Sequence, residues 1–231
     1  MTEIPFDIVG FDLDGTLLDT QGDLGEALNH ALALAGRPCV AANRVQQLVG
    51  GGSKRMLARA LDVTGGMVED SEFERLSGAL IDYYEANIAV HSALYPGGAA
   101  ALDQLAAGGV KLAVVTNKQE RLAVKLLKEL GLTHRFFMIL GGDSLGQGKA
   151  KPAPDLIEAM VASGGGGKAA FVGDTTYDTG AALAAGIPCV AVSFGYNDKP
   201  VADLGAAAVI DHYDQLSSAL AAIQAAGKLA P

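Results

Sequence analysis

Short apolar runs and longer amphipathic segments alternate along most of this chain, and that alternation restricts its fold more than any other feature. Runs rich in Val, Ile, Leu and Phe occupy residues 6–11, 111–115, 136–140, 169–172, 189–192 and 208–210, each bounded by turn-forming residues, as buried strands are. Between them, residues 99–107, 119–130, 155–161, 177–185 and 213–225 space their apolar side chains as helices do. Strand, helix and strand in succession require crossover connections, which predicts an α/β fold: a Rossmann-like parallel sheet with helices on both faces. In such sheets ligands bind beyond the carboxyl ends of the strands, so the residues just after each strand are the candidates for function.

The alternation breaks once. From about residue 20 to 91 only helical patterns occur, at 24–34, 44–48, 54–61 and 71–88, with no convincing strand. The exits at 19–22 and 92–98 hold glycine or proline and read as hinges. The expected organisation is therefore a core domain made of residues 1–18 and 93–231, with an all-helical cap domain of residues 19–92 inserted over the strand ends. Half of the residues are hydrophobic and only 19% are charged, enough to bury a core and inconsistent with disorder.

A net charge of −9 argues against nucleic acid or an anionic membrane surface as the partner, since both need clustered Lys and Arg. An anionic small molecule would need local help from a bound cation and a few well-placed lysines. Cys39 and Cys189 have no metal-ligand spacing and form no disulfide framework, which fits a reducing cytoplasm. The first ten residues carry Glu3 and Asp7 where a signal peptide would be basic and then apolar, and no apolar run approaches the roughly 20 residues needed to span a bilayer. A cytoplasmic protein, monomeric or homodimeric, is expected.

Four segments that follow strands carry the chemistry. Asp12 and Asp14, two apart at the end of the first strand, present their carboxylates on one face, although Asp14-Gly15 would also make a simple solvated turn. Gly173-Asp174-Thr175-Thr176-Tyr177-Asp178 opens a helix after strand 169–172; its acids either share a cation or act as a helix cap and an exposed neighbour. Thr116-Asn117-Lys118 stands where a helix begins, so its hydroxyl and free N–H groups would suit a phosphate or an ordinary cap. Lys151 opens Lys151-Pro152-Ala153-Pro154; most loop lysines are simply solvated, but the prolines that follow would fix this one's direction toward the acids, with Lys149 as a competitor. Oxygen ligands from Asp12 and Asp174 with a main-chain carbonyl would suit magnesium.

Four such segments at the ends of four strands resemble, in order and wording, the haloacid dehalogenase superfamily: Asp12-x-Asp14-Gly-Thr, Thr116, Lys151 and Gly173-Asp174-x-x-x-Asp178 stand where its four motifs do. The resemblance implies that Asp12 is the nucleophile forming an aspartyl-phosphate and Asp14 the acid and then the base. It implies Mg2+ held by Asp12, the main-chain oxygen of Asp14, and Asp174, with Asp178 orienting the metal shell or Lys151. Thr116, Asn117 and Lys151 would hold the phosphoryl oxygens, and Thr16 falls among the phosphate-binding residues. The wording at residues 94–97, 115–118, 141–143 and 194–197 is similar to the family's phosphoglycolate phosphatases, and Gly50, Gly51 and Gly52 resemble their cap glycine loop. Hydrolysis of a small phosphate monoester such as 2-phosphoglycolate is the implied activity, with Gly50, Gly52 and Arg55 reading its organic end.

A phosphosugar mutase uses the same intermediate, but Thr16 stands where such mutases usually have Val or Ile. A receiver-like signalling module would also gather acids, Thr and Lys, yet would lack the helical insertion and would carry its phosphorylated Asp elsewhere.

Overall fold

The computed structural model describes residues 4–227, so residues 1–3 and 228–231 of the expected core domain lie outside the described residues. Six parallel strands form one sheet: β1 (Ile8–Phe11), β4 (Lys111–Val115), β5 (Met138–Leu140), β6 (Ala169–Gly173), β7 (Cys189–Val192) and β8 (Ala208–Ile210), in the order β5-β4-β1-β6-β7-β8. β1 lies at the centre, with Ile8 and Phe11 beside Lys111 and Val114 on one neighbour and beside Ala169 and Val172 on the other. The chain builds outward on one side of β1 and then on the other, which opens a crevice at the carboxyl end of β1. Asp12 is the first residue beyond that end.

The strands read as unbroken apolar runs because both faces are covered. Ile8, Ala113, Val115 and Phe171 face one core with Leu156, Ile157 and Met160 of α7 (Asp155–Ser163) and Ala181 and Ala182 of α8 (Thr176–Ala184). Val9, Phe11, Val114 and Val172 face the other, with α5 (Gly98–Ala107), α6 (Glu120–Glu129) and α9 (Leu216–Gly227) supplying residues such as Leu102, Leu105, Leu126 and Leu220. β5 starts two residues later than the apolar run does; Phe137 is 41% exposed at that sheet edge, so apolar character there does not mark the strand.

Between β1 and the rest of the sheet come four helices, α1 (Gln21–Leu34), α2 (Ala42–Val45), α3 (Ser53–Val63) and α4 (Asp70–Ala86). Leu28 and Leu32 of α1, Leu57 and Leu61 of α3, and Leu76 of α4 are fully buried against one another. α2 is shorter and earlier than residues 44–48 suggested, although Leu48 is still buried. The insertion is joined through a two-stranded antiparallel ribbon of β2 (Leu18–Asp19) and β3 (Ala93–Leu94), too short to show a periodicity in the sequence. Buried Asp23 at the start of α1 fastens the exit, accepting from the N–H groups of His91 and Ser92 at 2.9 Å each and from the Ser92 hydroxyl at 2.6 Å. An unpartnered carboxylate there would be costly, so these bonds fix where the insertion leaves and returns.

Candidate active site

Backbone pairing places Asp12 before its side chain does: its N–H donates to Val172 O at 2.9 Å, extending the β1–β6 ladder by one residue. Beyond it the chain turns sharply at Gly15, whose φ of +83° is left-handed, and a Cβ there would stand 2.5 Å from Asp174 Oδ2 and 2.7 Å from the Tyr196 ring. Only glycine lets this loop lie against the β6 side of the site.

Lys151 is buried and ties the ends of β1 and β4 to the start of α8. Its ammonium donates to Val115 O at 2.8 Å and Asp178 Oδ1 at 2.6 Å, and lies 2.9 Å from Asp12 Oδ1. Burial opposes its charge, but the Asp12 and Asp178 carboxylates outweigh that and hold its pKa above the ordinary lysine value. Lys149, the competitor in the sequence, is surface-placed and pairs with Asp155.

Asp178 is fully buried, not the exposed neighbour that a plain cap would leave. Its Oδ2 accepts from the N–H groups of Asp174 and Thr175 and from the Thr175 hydroxyl, at 3.1, 2.9 and 2.7 Å, forming a capping box at the start of α8. With Oδ1 on Lys151, its oxygens are fully engaged, which suits it to orienting others. Asp174 is not the cap; Thr175 is. Asp174 takes only neutral donors on its side chain, the Thr16 hydroxyl at 2.8 Å and the Tyr196 N–H at 2.7 Å. Thr16, expected among the phosphate-binding residues, has its hydroxyl fully buried and donating to Asp174, where it supports that carboxylate.

Carboxylate oxygens of Asp12, Asp174 and Asp178 lie within 4.8 Å of one another. Burial raises the pKa of Asp12 to about 6; Lys151 pulls it down, while Asp178 and Asp14 push it up. Burial and the charges of Asp178 and Asp12 also push Asp174 well above the ordinary carboxylate range. Asp12 Oδ1, near Lys151 but poorly aligned with it, has no hydrogen bond among the described residues. One lysine does not balance three clustered carboxylates, and the donor set is all hard oxygen, so a divalent cation between Asp12 and Asp174 fits both the charge and the orphaned oxygen.

Thr116 is buried, and the Asn117 side chain donates to Lys151 O at 2.9 Å while its own Oδ1, also buried, has no partner among the described residues. α6 begins only at Glu120, whose N–H is taken by Asp143 at 2.8 Å, so the helix N-terminus expected at Thr116 is displaced and occupied. Lys118 pairs with both oxygens of Asp14 at 2.8 and 2.7 Å, and the Thr20 hydroxyl donates to Asp14 Oδ1 at 2.8 Å. Sequence reasoning missed Lys118 as a site residue, although its place beside Thr116 and Asn117 was a signal. Nothing in the pattern of α4 marked Tyr84, which faces Lys118 from the insertion.

These residues line a cleft of about 730 Å3 between the strand ends and the helical insertion. On the insertion side Gly50, Gly51 and Gly52 all have left-handed φ, of +108°, +76° and +96°. Arg55 donates to the Tyr177 hydroxyl at 2.7 Å and lies over that ring, bridging α3 to α8.

The sequence profile described as haloacid dehalogenase-like hydrolase matches residues 9–192. The chain belongs to that family. Among its relatives, a phosphoglycolate phosphatase of Mesorhizobium japonicum is 39% identical over 222 residues, which cover 95% of this chain and 98% of the relative. One of Agrobacterium fabrum is 39% identical over 91% of this chain and 90% of its own. The crystal structure of a predicted phosphoglycolate phosphatase from Haemophilus somnus superposes with a TM-score of 0.86 at 32% identity, covering 92% of this chain and 97% of that one. The chain is thus a hydrolase by family, with the parallel α/β architecture its sequence predicted. No helix among the described residues is long and apolar enough to cross a membrane.

Proposed function

We propose that this protein is a magnesium-dependent phosphatase that hydrolyses a small phosphate monoester, 2-phosphoglycolate above all, to the free alcohol and phosphate. The observation that carries the chemistry is the cluster of Asp12, Asp174 and Asp178 around buried Lys151 at the end of the central strand. The substrate reading is supported by phosphoglycolate phosphatases whose similarity covers 95% and 91% of this chain.

In this reading a carboxylate oxygen of Asp12 attacks phosphorus, the bond to the ester oxygen breaks, and Asp14 gives that oxygen its proton. The phosphoryl group, now on Asp12, is then attacked by water whose proton Asp14 takes, releasing phosphate and restoring both acids. Splitting the displacement this way lets one carboxylate act first as acid and then as base. Lys151 faces the transferring oxygens, Thr116 adds a hydroxyl, and the Asn117 amide is anchored beside them through Lys151 O. Asp178 and Thr16 hold Lys151 and Asp174 in place. Magnesium held by Asp12, Asp174 and the main-chain oxygen of Asp14 supplies charge neutralisation for the phosphate and lowers the raised pKa values of the acids.

The helical insertion, approximately residues 19–92, acts as a cap that excludes water when it closes, hinged at the β2–β3 ribbon. Cys39 and Cys189 are both free thiols, in keeping with a cytoplasmic location. The test is phosphate release from 2-phosphoglycolate in magnesium and in chelator. Strong turnover only with the metal supports the reading, and no turnover of any phosphate monoester in a panel would end it.

A further inference from the structure

Four basic residues among the described ones line the cleft, and three already have partners that explain them. Lys54 pairs with exposed Glu74, Arg55 holds Tyr177, and Lys151 is fixed by Asp12 and Asp178. Lys118 remains. It is buried, with 5% of its side chain exposed, and its partner is the acid that the proposed chemistry needs elsewhere.

Both oxygens of Asp14 bond Lys118, and Oδ1 also accepts from Thr20, so the carboxyl group is turned toward these donors and not toward a phosphate ester bond. Lys118 Nζ also sits 4.6 Å from the centroid of the Tyr84 ring. The Tyr84 hydroxyl is buried and has no hydrogen-bond partner among the described residues. Around them Leu24, Leu80, Ile81 and Leu122 line the same cleft. An ammonium and a free hydroxyl in an apolar setting form a subsite for a small anion, because charge pairing is strong where water is excluded.

We infer that Lys118 and Tyr84 read a second anionic group on the substrate, a carboxylate, and that Lys118 does so by exchanging Asp14 for that carboxylate. The substrate's carboxylate accepts from the Lys118 ammonium and the Tyr84 hydroxyl. Asp14, relieved of Lys118, turns to the ester oxygen, to which it passes a proton taken from solvent. Recognition of the organic end and release of the acid are then one event, and an ester without the second charge leaves Asp14 held. This rests on the phosphatase reading above and deepens it: Lys118 selects a carboxylate-bearing monoester, a role that sequence reasoning gave to Gly50, Gly52 and Arg55.

The experiment compares kcat/KM for 2-phosphoglycolate and for ethyl phosphate, which matches it in carbon count but lacks the carboxylate. Wild type, Lys118→Met, Lys118→Arg and Tyr84→Phe are assayed in magnesium, with thermal melting as the check on folding. Lys118→Met is expected to lose roughly 10- to 100-fold on phosphoglycolate, the range of a charge-assisted hydrogen bond, and to lose nothing on ethyl phosphate, whose turnover holds or rises because Asp14 is no longer held. Lys118→Arg should restore part of the preference, and Tyr84→Phe should show a smaller loss in the same direction. Equal losses on the two esters in both Lys118→Met and Tyr84→Phe, or an unchanged preference, would overturn the inference. Should Lys118→Met not fold, Tyr84→Phe alone decides: a loss confined to phosphoglycolate supports the subsite and any other result refutes it. If the wild type hydrolyses esters without preferring phosphoglycolate, the substrate reading fails by itself, and the same comparison is made with a longer phosphorylated hydroxy acid and its uncharged match. The inference falls if no carboxylate-bearing ester is preferred.

Discussion

On the sheet side of the cleft, Lys151, Asp174 and Asp178 are buried, and each is held by two or more bonds that begin in different strands or loops. On the helical side, Gly50, Gly51 and Gly52 present backbone alone, and Arg55 is exposed with one polar side-chain partner. A wall with every donor fixed suits a step in which charge must be met without rearrangement. A wall of glycine backbone in the loop that leads into α3 suits close approach and movement. The difference suggests that the sheet sets the reaction while the insertion, with Lys118 at the boundary, sets what may enter.

The sharpest way to break this division is at Asp12. Asp12→Asn keeps the shape of the side chain and removes the attacking oxygen, so turnover should fall by at least about 10^4 with the fold intact. Retained activity after deamidation is excluded would move the chemistry away from the sheet. Next in size is the metal: excess chelator should abolish activity and magnesium should restore it. Stability gives an independent reading. In chelator, the Asp12 pKa raised from 3.8 to about 6 means that the folded protein holds a proton longer than the unfolded chain does. That contribution is complete below the unfolded value and is lost as pH rises through the folded one. Melting temperature in chelator should therefore fall across that window, less so in Asp12→Asn, and magnesium should raise it more above the window than below.

Smaller effects are expected on the helical side. At Gly52 a Cβ would make only an ordinary contact, 3.7 Å from Asn117 O, but its φ of +96° does not suit a branched residue. Gly52→Val should shift the loop and lower kcat/KM for phosphoglycolate roughly 10-fold or more, against little change for a small aryl phosphate that reacts with the insertion open. Equal losses would give the glycines no part in selection. Smallest of all, Tyr177→Phe removes the bond to Arg55 at an exposed position and should raise KM a few-fold while kcat holds.

How much of this was readable before the structure follows the same division. Asp12, Thr116 and Asp174 were legible because each comes directly after an apolar run, where a strand end is fixed by local pattern. The Thr16 bond to Asp174 spans 158 residues, and the Lys118 bond to Asp14 spans 104. Such pairs depend on the order of strands in the sheet, which hydrophobic spacing does not encode. Tyr84 was invisible for another reason: on an amphipathic helix a buried aromatic is ordinary core, and only the ammonium opposite makes it more. The β2–β3 ribbon, two residues per strand, was below the length at which alternation carries information.

The most direct test of the account is to stop the reaction with acid during turnover of phosphoglycolate in magnesium and locate the phosphoryl group by peptide mass spectrometry. The account predicts one phosphoryl group on the peptide containing Asp12, sensitive to hydroxylamine as an acyl phosphate is, and none in Asp12→Asn. A phosphoryl group on any other side chain, or an Asp12→Asn protein that still turns over, would contradict it.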